Sequence, residues 1–182
     1  MRNMLILSAL LFFLHVGDAW SQVLYGTSSG VVSFYSDTPL ETIEAVNKKS
    51  GCIINFSTWE LAVQMKITDF VFPNKLMQEH FNENYLESEK YPTAVFKGKI
   101  KELVDLTKAG TYPVTAEGSM TFHGVTKAVA VKGTLISTGN ELKLDFKFQV
   151  KPEDYQIKVP SLVITKIAET IEVTGKMNLV KK

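Results

Sequence analysis

One cysteine stands in the 182 residues, so no internal disulfide can staple this chain. Cys52 sits in the apolar run Cys52-Ile53-Ile54 and reads as a buried small hydrophobe, with a redox or nucleophilic thiol as the sharper alternative. An excess of one charge is also missing. Twenty basic and nineteen acidic side chains leave a net charge of +1, and the signs alternate along the chain. That balance argues against a nucleic-acid partner, which would want a basic face. Histidine is sparse: beyond the N-terminal segment only His80 and His123 occur. No HExxH, CxxC, GxSxG or GxxxxGK pattern is present, and the carboxylates are dispersed rather than paired on apolar ground. A metal site would need His80 and His123 to converge with Glu79 or Glu83. The bland alternative is that both histidines serve turns and seams. No catalytic residue, metal ligand or cofactor is therefore assigned. Repeats and low-complexity segments are absent too, and only one long apolar run occurs.

That run is N-terminal. Arg2 precedes Met4 to Val16, and Ala19-Trp20-Ser21 fits a small-residue cleavage pattern, with Gln22 as the expected first residue of the mature chain. The run is shorter than the roughly 20 apolar residues that cross a bilayer. His15 and Asp18 close it early, which disfavours an uncleaved anchor. The expectation is a signal peptide over 1–21 and an exported domain over 22–182. An exported chain without disulfides suits a bacterial periplasm; the sequon Asn55-Phe56-Ser57 matters only in a eukaryotic pathway.

Period-two alternation dominates the rest of the chain. Leu142, Leu144, Phe146, Phe148 and Val150 alternate with Lys143, Asp145, Lys147 and Gln149, one dry face and one wet. Gly139-Asn140 before them is a hairpin signal leading back to Ala128–Ser137. Leu61 to Ile67, Ala94 to Ile100, Val114 to Phe122 and Ile171 to Leu179 obey the same rule. With Val31–Ser36 and Gly51–Ser57 they make about eight strands, the spacing of an all-β barrel or sandwich. Glycines inside the strand patterns (Gly98, Gly118, Gly133, Gly175) favour the barrel, whose corners need close approach and bending. Eight strands closed on themselves can enclose one small ligand.

Two segments break the rhythm. Asn74–Leu86 opens with an N-cap residue, and Leu76, Met77, Phe81 and Tyr85 share a helical stripe, so a short helix is expected to plug one barrel end. Thr38-Pro39-Leu40-Glu41 fits a capping box, yet Ile43, Ala45 and Asn47 equally suit a strand. The fold expected is an eight-stranded antiparallel barrel with one or two short helices, while a two-sheet sandwich would read similarly.

Large apolar side chains recur at inward positions. Phe34, Phe56, Met65, Phe72, Met77, Phe81, Tyr85, Phe96, Met120, Phe122, Phe146 and Phe148 form the candidate ligand lining. Phenylalanine and methionine adapt well to a flexible hydrocarbon. The competing explanation is that they fill an ordinary core.

Three stretches carry a resemblance. The first is Met77-x-x-His80-Phe81-x-x-x-Tyr85-Leu86-x-Ser88-x-x-Tyr91-Pro92-x-x-x-Phe96-x-Gly98. The second is Gly118-x-Met120-Thr121-x-His123-Gly124-Val125-Thr126-Lys127-x-Val129, and the third Asp154-Tyr155-x-Ile157. Together, in this order, they resemble the YceI-like family over roughly Val31 to Val180. The N-terminal third lacks the common Asp-x-x-His-Ser start and resembles a shorter subtype. The resemblance implies a lipocalin-like eight-stranded barrel, an exported bacterial protein, and a polyisoprenoid-type ligand in an elongated cavity, bound or transported rather than turned over.

The leading expectation is therefore a non-enzymatic carrier or store for a long isoprenoid or another apolar lipid, in transient contact with a membrane. A filled-core barrel acting through its surface, as an interaction or stress-related protein, is the first alternative. A His-dependent hydrolase using His80 and His123 is the second. An edge between the first and last strands would leave room for a homodimer.

Overall fold

The computed structural model describes residues 23–160 and 165–182. The segment expected to act as a signal, residues 1–21, lies outside them. Among the described residues the chain runs β1 (Leu24–Asp37), β2 (Thr42–Asn55), β3 (Glu60–Lys66), β4 (Phe70–Val71), α1 (Lys75–His80), β5 (Thr93–Ile100), β6 (Gly110–Phe122), β7 (Val125–Ser137), β8 (Leu142–Val150) and β9 (Ile171–Lys181).

Period-two alternation becomes burial. In β8, Leu142 and Leu144 are buried while Lys143, Lys147 and Gln149 are exposed. Every strand pairing is antiparallel, in the order β1-β2-β3-β5-β6-β7-β8-β9 and back to β1. The short β4 adds to β2 beside Val46 and Asn47. Eight strands therefore close into a barrel, and the sandwich reading falls. Val32 is paired with Asn47 on one side and with Gly175 on the other, so the expected free edge between first and last strands is consumed by pairing. Closure removes the exposed ladder groups that an open edge would offer to another chain.

Local chemistry explains the turns. Gly139 takes φ +87° in the β7–β8 hairpin, a left-handed conformation that costs glycine little. At Thr38–Glu41 the hydroxyl of Thr38 accepts the N–H of Glu41 at 3.1 Å, the bond a helix cap would make. The helix does not follow, and the capping-box reading is corrected to a hairpin turn. Ile43, Ala45 and Asn47 continue inward along β2, where pairing with β1 satisfies more backbone than a short helix can.

The expected helix forms. Asn74 caps it by accepting the N–H groups of Leu76 (2.9 Å) and Met77 (3.4 Å), and a π turn over Phe81–Tyr85 extends it. Phe81 stacks on Phe34 at 5.3 Å between ring centres and packs on Phe72 at 4.9 Å, closing much of one barrel end. We call this the mouth end. It also carries the β6–β7 turn and the short turn Pro152–Tyr155.

The opposite end is the floor. Tyr25, Phe56 and Trp59 pack edge to face at 5.6 and 5.2 Å. Leu135, Leu142 and Leu179 are buried behind them, and Val104 and Leu106 of the β5–β6 loop pack across. That loop is pinned. Ser137 donates to the carbonyl of Leu106 at 3.2 Å, and Thr115 N–H donates to the carboxylate of Glu102 at 2.6 Å. The latter bond holds the Glu102 carboxyl below its ordinary range.

Candidate functional site

Among the described residues the barrel encloses an apolar cavity, walled by β3 (Leu61, Val63, Met65), β5 (Phe96, Ile100), β6 (Val114, Ala116, Met120), β7 (Val131, Gly133) and β8 (Leu144, Phe146, Phe148). No charged or hydrogen-bonding side chain contributes to this wall. Its open volume is about 40 Å³. The deep lining residues Leu61, Ile100, Val114 and Leu144 are buried, whereas Met65, Phe146 and Phe148 are only half-buried. Along β3 and β8 the buried Leu61 and Leu144 lie nearer the floor turns and the half-buried Met65, Phe146 and Phe148 nearer the mouth, while Phe96 and Met120 are buried as well.

One ring owes its place to a glycine. Gly133, Phe146 and Gly175 lie side by side across β7, β8 and β9. A Cβ at position 175 would fall 2.0 Å from Cζ of Phe146, so the Phe146 ring occupies the space a side chain would take. The Phe146 ring is thus seated against the main chain of Gly175.

The twelve expected lining residues separate into groups. Met65, Phe96, Met120, Phe146 and Phe148 line the cavity. Phe34, Phe72 and Phe81, with Phe70, form the aromatic cluster under the helix, and Met77 and Tyr85 are half-buried against it. Phe122 packs on Tyr155 at 5.4 Å beside the mouth. Phe56 is in the floor, outside the cavity. Sequence reasoning about bulk missed Leu61, Val63, Ile100, Val114, Ala116, Val131, Gly133 and Leu144. Their signal was the same strand parity, which selects small and branched residues as readily as aromatic ones.

Polar chemistry lies outside the cavity wall. His80 is exposed on the helix. His123 takes φ 49° in the β6–β7 turn, and its Nδ1–H donates to the carbonyl of Tyr155 at 2.9 Å, while its ring meets Tyr91 at 4.5 Å. Among the described residues, buried Nε2 of His123 has no hydrogen-bond partner. These contacts tie the Pro152–Tyr155 turn to the barrel, the work of a structural pin. Among the described residues no three His, Cys, Asp or Glu side chains gather as metal ligands. At the mouth, burial first and the Glu41 carboxylate second push the Tyr85 phenol up, keeping it protonated. Cys52 is 5% exposed, and burial pushes its thiol up to about 12, which leaves it inert at neutral pH.

Comparison with known proteins bears on the whole domain. The profile of the YceI-like domain matches residues 24–179. No curated protein sequence matches. Similar solved structures include BcnA of Burkholderia cenocepacia, at 18% identity and TM-score 0.69, covering 83% of this chain and 96% of that one. Another is a polyisoprenoid binding domain from Saccharophagus degradans implicated in plant cell wall breakdown, at 12% identity and TM-score 0.75, with 88% and 99% covered. A third is the YceI protein of Campylobacter jejuni, at 13% identity and TM-score 0.59, with 75% and 82% covered. At these identities the likeness speaks to the fold.

Proposed function

The chain belongs to the YceI-like family, and from that premise we propose that it is an exported lipid-binding barrel that holds a polyisoprenoid or similar lipophile for carriage or storage, without chemistry of its own. The observation that carries the reading is the barrel cavity, wholly apolar in its wall, with the half-buried Met65, Phe146 and Phe148 in its lining. The polyisoprenoid binding domain among the similar structures supports the choice of ligand class. Export rests on the sequence of residues 1–21 alone.

The small open volume has a physical reason under this reading. Ligand sites usually offer about 300–1,000 Å³. A dry void of even 300 Å³ would cost about 7 kcal/mol at roughly 24 cal/mol per Å³. That rivals the whole net stability of a domain, about 5–15 kcal/mol. An unliganded barrel is therefore expected to let Met65, Phe146 and Phe148 fall inward, and a ligand then displaces side chains instead of filling an existing hole. Unloading is feasible because a bilayer offers a prenyl chain the same dry surroundings as the barrel, so transfer to a membrane loses little.

The 40 Å³ volume equally favours a second reading, a filled-core barrel acting through its surface. Native mass spectrometry of protein purified from a bacterial host, followed by lipid extraction, separates the two. The lipid reading expects bound masses in steps of one isoprene unit. A clean unliganded mass, unchanged after incubation with prenyl lipids, refutes it and leaves the filled-core reading.

A further inference from the structure

One aromatic ring of β8 lies along the barrel wall instead of across the interior. Phe146 is paired with Gly133 on β7 and with Gly175 on β9, and Val32 of β1 stands beyond Gly175. A Cβ at position 175 would fall 2.0 Å from Cζ of Phe146, 2.3 Å from Cε1 and 2.5 Å from Cε2. The whole tip of the ring therefore rests where a side chain of residue 175 would stand. A ring that reaches from its own strand to the inner face of the next follows the wall and leaves the middle of the barrel. The inward neighbours on β8 have no such seat. Phe148 is paired with Val173 and Leu144 with Met177, whose side chains fill the equivalent places on β9. At Gly133, the glycine on the other side, the atom nearest to an added Cβ is the main-chain oxygen of Asp145, at 2.8 Å.

We infer that Gly175 is a positioning residue for the ligand: by leaving its place to the tip of Phe146, it holds that ring against the wall and sets how bulky a lipophile the barrel admits. The inference rests on the lipid reading and adds to it the residue that governs ligand size. A ligand that enters displaces lining side chains, and Phe146 lies back only as far as residue 175 allows. Any side chain at 175 turns the ring into the cavity that Phe146 shares with Met65 and Phe148. The ring yields before the main chain does, because its tip is the far end of a flexible side chain. Turning it requires a change of rotamer, whereas parting β8 from β9 breaks ladder hydrogen bonds.

The test compares farnesol with geraniol, which is one isoprene unit smaller. Native mass spectrometry measures both on the parent, on Gly175→Ala and on Gly175→Ala with Phe146→Leu, and circular dichroism checks each fold. Gly175→Ala should weaken farnesol at least about tenfold, since each methylene-sized group kept out of the barrel carries a factor of about four. Geraniol needs less room and should weaken by less than about threefold, below the worth of one methylene. A general loosening of the barrel would weaken both alike. Adding Phe146→Leu, whose side chain does not reach position 175, should return farnesol to within about threefold of the parent. If Gly175→Ala does not fold, Phe146→Trp tests the same contact from the other side. Its larger ring overfills the seat and should weaken farnesol about tenfold. Farnesol binding within about threefold of the parent in Gly175→Ala or Phe146→Trp overturns the inference and leaves the lipid reading standing. Equal weakening of both alcohols, or a farnesol loss that Phe146→Leu does not reverse, does the same. Binding of neither alcohol to the parent overturns the lipid reading and the inference with it.

Discussion

Gly98 and Gly118 face each other across β5 and β6, and their pairing is tight enough to be tested by one methyl group. A Cβ at position 118 would lie 2.1 Å from the carbonyl oxygen of Lys97 and 2.4 Å from Cα of Gly98. Both are main-chain atoms, so no side chain can turn aside to relieve the overlap. Restoring a contact of 3.4 Å forces the strands apart by about 1.3 Å. That stretch takes neighbouring ladder bonds beyond hydrogen-bonding range. Losing two of them costs about 1–3 kcal/mol, with more where a group is left unpaired. The alanine returns about 0.4–1 kcal/mol by stiffening the unfolded chain. Gly118→Ala should therefore destabilise the barrel by about 1–2.5 kcal/mol, lowering Tm by roughly 2–10 °C. Gly51→Ala is the matched control. Its Cβ would meet nothing closer than 3.9 Å, so it should be neutral or stabilising by up to about 1 kcal/mol. Urea unfolding followed by circular dichroism and Trp59 fluorescence measures both. The close-approach argument is refuted if Gly118→Ala stays within about 0.5 kcal/mol of the parent, the range of an ordinary surface change.

Single contacts set the remaining expectations. Asn74→Ala removes the acceptor for Leu76 and Met77 N–H and should cost about 1 kcal/mol, as N-cap losses do. Hydrogen exchange should then quicken over 75–85 and stay unchanged in β6 and β7. Cys52 should resist alkylation at pH 8 in the native protein and react once urea unfolds it; stoichiometric labelling of the folded barrel would contradict its burial. The same thiol sets a pH dependence. The unfolded group titrates near its ordinary 9.0 and the folded one near 12, so above pH 9 only the unfolded chain releases this proton. Its share of stability is complete below pH 9 and falls by about 1.4 kcal/mol per pH unit toward 12. A Cys52→Ala variant should lack that share of the alkaline decline.

Local signals were written in the residue order itself. Polar and apolar residues alternate so regularly in 142–150 that a one-residue slip would bury Lys143 and Lys147, and that alternation alone identifies the strand. Gly139-Asn140 fixed a hairpin because left-handed backbone is open to glycine. Asn74 before an apolar stripe marked a helix start through a bond made within three residues. Each of these signals acts over a few residues, so a single chain reads it out.

Contacts between residues far apart had no such signature. Thr38 makes the bond of a helix cap, yet β1 pairing drew the next residues into a strand. The meeting of β1 with β9, which abolished the expected edge, joins segments about 150 residues apart. Parity marked Phe56 and Phe146 alike as inward, but only closure of the barrel put one in a solid floor and the other beside a cavity over Gly175. Sequence determined which face of each strand is dry, because side-chain direction repeats every two residues. Tertiary structure alone decided where the dry faces meet tightly and where they leave room, because packing depends on which volumes oppose one another across the barrel.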